Sequence, residues 1–325
     1  MNMKTNTHRR GLHRIVAFLL CAVCVFSLLP AQAFAAGVGQ KASSWLGDQY
    51  VGSDGQHYYA PAPYTFLAYH SDGTVDVRTG SGGNAYRHYM LTDSDGISHH
   101  VYCVESGIAY NTSENTYTSE NGTNSDYLNM LPSAAKRGIT LTAIYGWKPG
   151  ASLPVSGINE DDYKIATQII LWEYQQQLRS DPYSRHSNGH ASADQYYSVV
   201  AGRPAEKAYN WILEQVASHS TVPSFTATNQ GDAPVLELKW DTSRKVYTLT
   251  VTDTNNLNID LEMLSGSGVT VSRNGNKYTF TSKNMIMDPV SFEFRKDIPV
   301  ANDMLIWGRP GYQTMMTGAS DPVSF

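Results

Sequence analysis

From Val235 onward, apolar and polar residues alternate with period two through six successive segments: Val235 to Trp240, Lys245 to Thr252, Ile259 to Leu264, Val269 to Arg273, Lys277 to Ser282 and Val290 to Arg295. Alternation places every second side chain on one face of an extended chain, and no helical period interrupts it here. Asn274-Gly275 separates two of the segments and suits a tight hairpin turn. The region after Pro223 is therefore expected to be all-β, an antiparallel sandwich. In its first segment Leu236, Leu238 and Trp240 share one face and Glu237 and Lys239 the other, which fits an outward charged pair.

The chain before Pro223 follows other rules. Residues 37 to about 130 are rich in Gly, Tyr, Ser, Asn and Asp. Short alternating stretches, Tyr64 to Tyr69 and Thr74 to Arg78, lie among the turn signals Ser53-Asp54-Gly55, Ser71-Asp72-Gly73 and Ser94-Asp95-Gly96, and read as irregular β structure. Asp93-Ser94-Asp95-Gly96 matches the start of a calcium loop but lacks the rest, so a hairpin turn is expected. Three helices follow. Ser133 can cap one that Gly146 stops, near Tyr145. A second starts near Asn159, where Glu160, Asp161 and Asp162 favour its N-terminal dipole, and runs to about Arg179. Tyr163, Ala166, Ile170 and Tyr174 form one apolar stripe on it and Ile165, Ile169 and Trp172 another, so it is buried. A third runs from Pro204 to about Ser218, with Ala208, Ile212 and Val216 inward.

The first 36 residues read as a secretory signal. His8, Arg9, Arg10, His13 and Arg14 precede an apolar run from Ile15 to Leu29, Pro30 breaks it, and Ala31-Gln32-Ala33 and Ala33-Phe34-Ala35 offer small-x-small cleavage sites. The run is about 15 residues, short of the roughly 20 needed to span a bilayer. Cys21 and Cys24 leave with it, so their CxxC spacing is not a redox motif. The remaining 289 or so residues carry 20 basic and 29 acidic side chains, a net charge of −9. That balance excludes a strongly basic nucleic-acid binder. Cys103 alone remains of three cysteines, which excludes a disulfide framework and a multi-cysteine metal site. The sequence stops at Asp321-Pro322-Val323-Ser324-Phe325 in a strand-like pattern, so a further region is expected beyond it.

Cys103 sits in the extended pattern His99-His100-Val101-Tyr102-Cys103-Val104. A lone cysteine in a secreted protein is buried as a small hydrophobe, or it is chemically used. Gln168 is the second anomaly. It shares a helix face with Ile165 and Trp172, where a carboxamide without partners costs roughly 1–3 kcal/mol.

Tyr102-Cys103-Val104 followed 65 residues later by Thr167-Gln168-Ile169-Ile170-Leu171-Trp172 resembles the thioester domains of Gram-positive surface adhesins. Those carry an aromatic-Cys-aliphatic motif on a β segment and a Thr-Gln-x-Ala-aliphatic-Trp motif on a helix; Ile170 stands where the alanine usually is. The resemblance implies an internal thioester between Cys103 and Gln168, shielded by aromatics such as Tyr102 and Trp172. It also implies an α+β fold: a signal peptide over 1–36, a mixed β-rich thioester domain with a helical subdomain over 37–222, and an all-β antiparallel sandwich domain over 223–325. The implied function is that of a secreted, monomeric surface adhesin, attached to the cell wall through a C-terminal region absent from this chain. It would capture a lysine amine of a host protein once, without turnover, cofactor, metal, nucleic acid or transmembrane segment. Two other readings stand beside it. One is a cysteine hydrolase or transglutaminase using Cys103 with His99, His100, His186 or His190 as base, although the flanks read as strand rather than helix N-terminus. The other is a non-covalent binding module with an inert buried Cys103.

Overall fold

The computed structural model describes residues 38–59, 64–66, 68–69, 75–76, 84–85, 87–108, 110, 112–122, 125–227, 230–257, 259, 261–294 and 304–318. The signal segment 1–36 with Cys21 and Cys24, the Ser71-Asp72-Gly73 turn and the C-terminal residues from 319 lie outside them.

The β-rich start of the chain builds most of one antiparallel sheet. Its strands are β1 (Lys41–Leu46), β2 (Tyr89–Asp93), β3 (Ser98–His100), β4 (Tyr102–Cys103) and β5 (Ser113–Asn121). The Ser94-Asp95-Gly96 signal forms the β2–β3 hairpin turn. Gly96 adopts φ +80°, and the Asp93 carboxylate accepts hydrogen bonds from the Asp95 and Ile97 amides.

Five helices follow: α1 (Asp126–Asn129), α2 (Ser133–Tyr145), α3 (Glu160–Gln175), α4 (Ala193–Tyr197) and α5 (Ala205–Ser220). α3 opens with a capping box, in which Asn159 accepts from the Asp162 amide and Asp162 accepts from the Asn159 amide. Both of its apolar stripes are buried, as are all residues from Asp162 to Tyr174. It is enclosed by α2, α5 and β4. Two glycines of α2 and its end permit the close packing. A Cβ at Gly138 would lie 2.2 Å from the Tyr174 ring, and one at Gly146 would lie 2.3 Å from Thr167 Cγ2.

α3 ends at Gln175, four residues short of the expected Arg179. Gln177 takes a left-handed φ of +57°, and Arg179 turns back into the interior. Its guanidinium donates to Glu173 Oε2 at 2.9 Å and to the Tyr209 hydroxyl at 2.7 Å, with all three residues buried. A buried carboxylate needs such a partner, and a straight helical continuation would not supply it.

Beyond Pro223 the periodicity is realised as strands β6 (Lys239–Asp241), β7 (Val246–Thr252), β8 (Leu261–Ser265), β9 (Thr270–Asn274), β10 (Lys277–Ser282) and β11 (Ser291–Phe294). They form a four-stranded antiparallel sheet in the order β6-β7-β10-β9 and a β8-β11 pair. Phe280 of the larger sheet meets Phe292 of the pair, ring centroids 5.4 Å apart. Asn274-Gly275 makes the β9–β10 turn, with Gly275 at φ +59°. Glu237 and Lys239 are exposed as expected, but Trp240 is 48% exposed too, lying against Tyr247 at 5.0 Å. The regular strand begins only at Lys239, so alternation before it does not carry Trp240 inward.

The chain then returns to its first sheet. β12 (Leu305–Gly308) and β13 (Met315–Thr317) complete a seven-stranded sheet in the order β4-β13-β12-β5-β1-β2-β3. The sequence division at residue 223 assigned this stretch to the C-terminal sandwich; its hydrogen bonds are instead with β4 and β5. Leu305, Ile306, Trp307, Met315 and Met316 are all buried, which is the physical reason for the return.

Candidate functional site

β4 is held from two sides. On its sheet edge Cys103 is paired with Met315 and Tyr102 with Met316. Just beyond, the Val104 amide donates to the Thr314 carbonyl at 3.0 Å, and the Thr314 amide donates to Glu105 Oε2 at 2.8 Å. On its other side lies α3. The Cys103 amide donates to Gln168 Oε1 at 3.0 Å, and Gln168 Nε2 donates to the Cys103 carbonyl at 2.6 Å. The glutamine side chain thus pairs with the cysteine's backbone as a neighbouring strand would. Both residues have no solvent exposure. The polar anomaly on the apolar helix face is resolved by these two bonds, since a satisfied carboxamide escapes the desolvation penalty.

Two donors address the sulfur. Trp172, one turn beyond Gln168, directs its indole Nε1–H at Cys103 Sγ from 3.3 Å, and the Glu105 amide lies 3.4 Å away. Burial pushes the thiol pKa up to about 12, against the partial stabilisation that these donors give the thiolate. Trp172 itself is 1% exposed and lies beside the Tyr196 ring, centroids 6.0 Å apart. Tyr102 points to the opposite face of the strand, where its hydroxyl donates to the Trp147 carbonyl at 2.9 Å.

All four residues singled out in the sequence are therefore local to β4 and α3, but only Gln168 and Trp172 bond to Cys103 itself. Several residues of the site escaped the sequence reading. Gln175, two turns beyond Gln168 on the same helix face, accepts the Ser106 amide at 3.2 Å, and Ser106 Oγ bonds the Tyr196 hydroxyl at 2.7 Å. Its i+7 spacing from Gln168 was the available signal. Tyr127 bonds the Val104 carbonyl through its hydroxyl. Glu105 and Thr314 left no signal, because their pairing spans 209 residues.

The candidate histidine bases are engaged elsewhere. His99 pairs with buried Asp93 at 2.7 Å. His100 lies against Trp147, with its pKa pushed down to about 4 by burial and by the nearby Lys164 and His88 charges. His186 and His190 are exposed in the loop before α4. The groups bonding Cys103 Sγ are the indole and the Glu105 amide, not an imidazole. A hydrolytic cysteine needs a lowered pKa and a base; here the pKa is raised. Among the described residues no helix is long and apolar enough to cross a membrane.

Comparison with known proteins adds a separate line. The thioester-domain family model matches residues 100–218, a span that includes Cys103 and Gln168. Among solved structures the chain resembles the thioester domain of the Staphylococcus aureus TIE protein, with 17% identity over 86% of this chain and 92% of that one and a TM-score of 0.40. It also resembles the Bacillus anthracis TIE protein, with 10% identity over 86% of this chain and 46% of that one and a TM-score of 0.34. A third is the pilus-presented adhesin Spy0125 (Cpa), with 11% identity, 88% and 86% coverage and a TM-score of 0.30. A search of curated proteins finds no match. Residues 100–218 are thus similar to the thioester-domain family.

Proposed function

We propose that the chain is a surface adhesin that stores an internal Cys103–Gln168 thioester and spends it once on an amine of a host protein. The observation that carries this reading is the reciprocal hydrogen-bonded pairing of the Gln168 carboxamide with the Cys103 peptide in a fully buried setting. It holds the carboxamide against the residue that carries the thiol without a diffusional search, which is the largest part of making an amide react with a thiol.

The chemistry follows from the groups present. Sγ adds to Gln168 Cδ, and the charge that develops on Oε1 falls on the Cys103 amide already donating to it. The C–N bond then breaks, and the nitrogen leaves as ammonia carrying the thiol proton. The product is a thioester in a site from which water is excluded, so hydrolysis is slow. An arriving amine attacks the same carbon. The C–S bond breaks, the amine's proton passes to the departing sulfur, and Gln168 ends as a substituted amide. The Trp172 indole and the Glu105 amide meet the sulfur as it leaves. The reaction consumes its own electrophile, so the protein acts by stoichiometric capture rather than as an enzyme.

Secretion through the 1–36 signal and attachment to the cell wall belong to the same reading. So does a thioester domain of residues 37–222, with the strands 305–317 closing its sheet. Intact mass tests the core of it: the purified chain should be lighter by one ammonia than its sequence requires. Methylamine should then add to Gln168 and release one titratable thiol at Cys103. A native chain of full mass with an unmodified Gln168 would refute the reading, and a methylamine adduct in Cys103→Ala would exclude the cysteine as leaving group.

A further inference from the structure

Amine capture leaves two proton problems. A lysine side chain has an ordinary pKa of about 10.4 and arrives as an ammonium, which has no lone pair to attack with. The sulfur it must displace sits where burial pushes the thiol pKa up to about 12. A thiolate that basic leaves less readily than the amine that has just added, so it needs a proton as the C–S bond breaks. The chemistry calls for a group that takes a proton from the arriving nitrogen and releases one beside the sulfur.

Glu105 stands in that place. Its amide lies 3.4 Å from Cys103 Sγ. Its carboxylate is held by an interruption in the β4–β13 ladder. Cys103 pairs with Met315, and the register continues to Val104 opposite Thr314. A hydrogen-bonded antiparallel pair exchanges two backbone bonds. Here only one is made, from the Val104 amide to the Thr314 carbonyl at 3.0 Å. The Val104 carbonyl instead accepts the Tyr127 hydroxyl, and the Thr314 amide donates to Glu105 Oε2 at 2.8 Å. The carboxylate thus replaces a ladder carbonyl, one strand step of about 3.4 Å beyond the cysteine's own pair. The Cys103 thiol and the Tyr127 hydroxyl are raised by burial first and by the Glu105 charge in addition, so the carboxylate is within electrostatic reach of the sulfur.

The fold engages only part of this carboxylate. Oε1 takes no hydrogen bond from a described residue, Glu105 is half-buried, and no described cation is paired with it. Arg309 donates to Ser113 Oγ at 2.9 Å and lies over the Tyr312 ring. The Tyr117 and Tyr127 hydroxyls donate to the Gln313 and Val104 carbonyls. One oxygen is therefore fixed beside the reactive residue, and the other is open to an incoming cation.

We propose that Glu105 is the proton carrier of amine capture, taking a proton from the incoming ammonium at its open oxygen and delivering it to the departing Cys103 sulfur. The proposal rests on the thioester reading above. The ammonium loses one proton to the carboxylate, and the nitrogen lone pair adds to Gln168 Cδ. The nitrogen gives its second proton to water, the C–S bond breaks, and the Glu105 acid hands its proton to the sulfur. The products are a substituted amide on Gln168, a thiol at Cys103 and Glu105 as it began. The same carboxylate selects the nucleophile, because it attracts an amine that arrives charged.

Glu105→Gln tests this, since the amide oxygen that remains can still accept the Thr314 amide. Intact mass of the purified chain comes first, followed by rates of adduct formation with methylamine and with hydroxylamine. Methylamine arrives as a cation; hydroxylamine, a weaker base, arrives neutral. The variant should still lack one ammonia. It should capture methylamine about a hundredfold more slowly than the wild type and lose about tenfold or less with hydroxylamine. An equal loss with both nucleophiles would reduce Glu105 to a strut for Thr314, and an unchanged methylamine rate would remove it from the reaction; either result overturns the proposal. A wild type of full mass fails the thioester reading itself, and the proposal falls with it. If Glu105→Gln does not form the thioester, Glu105→Asp takes its place. That variant keeps the charge but draws the carboxylate back by one methylene, so methylamine should slow more than hydroxylamine, and equal slowing would again overturn the proposal.

Discussion

Gln168 and Trp172 stand one helical turn apart and do different things to the same cysteine. The first offers a carbonyl and is fixed by backbone bonds; the second offers a donor to the sulfur. Their separation of roles predicts separate phenotypes. Trp172→Phe keeps an aromatic ring but removes Nε1–H together with the five-membered part of the indole. The thioester should still form, but the sulfur leaves with one donor fewer, and reaction with methylamine should slow about tenfold. Single-exponential adduct formation followed by mass measures this; an unchanged rate would mean that the indole only packs. Gln168→Ala instead leaves a free buried thiol. Its pKa, about 12 when folded against about 9 ordinarily, is raised, so the neutral form is the one that the fold favours. The stability tied to that thiol is complete below about pH 9 and is lost as pH climbs from about 9 toward 12. Urea unfolding should therefore show Gln168→Ala losing stability above pH 9 relative to the Cys103→Ala, Gln168→Ala double variant. Parallel pH profiles for the two would show that the thiol is not desolvated in solution.

The elements show where sequence reasoning reached and why it stopped. The acidic start of α3 and its two apolar stripes were legible because both are local patterns on a 3.6-residue period. Its end was not, since it is set by where Arg179 finds Glu173 and Tyr209. The end of α2 at Gly146 was read correctly from a glycine, but for a different physical reason. Gly146 has φ −72°, a conformation that any residue can take. It is needed because Thr167 of α3 occupies the space a Cβ would fill. Thr167 precedes Gln168 and also accepts the Trp147 amide at 3.0 Å through its hydroxyl. Gly146→Ala should therefore cost about 1–3 kcal/mol through overpacking and push α3 away from β4. The expected readout is a lower melting midpoint together with a smaller fraction of molecules lacking the ammonia. A full thioester yield at a lowered midpoint would confine the effect to stability.

On the scale of the molecule, the setting of Cys103 and Gln168 is built from three distant parts of the chain. Cys103 and Gln168 were legible because the residues themselves are unusual in their local patterns. The third part, β12 and β13, was not legible, because short apolar strands after a long β region carry no mark of which sheet they join. Yet among the described residues β4 has only β13 as its neighbour in the seven-stranded sheet. The Val104 amide and the Glu105 carboxylate both depend on Thr314. Without β13, a two-residue strand would have to hold Cys103 against α3 with one exposed edge, and the buried apolar surface of Trp307, Met315 and Met316 would be missing. A chain of residues 37–222, which holds Cys103, Gln168 and every α-helix among the described residues, should therefore fail to form the thioester. The chain of residues 37–325 should form it. Intact mass on the two purified products decides the matter. A missing ammonia in the shorter chain would mean that the cysteine and glutamine are positioned by the first 222 residues alone, and that the returning strands close a sheet already competent for the chemistry.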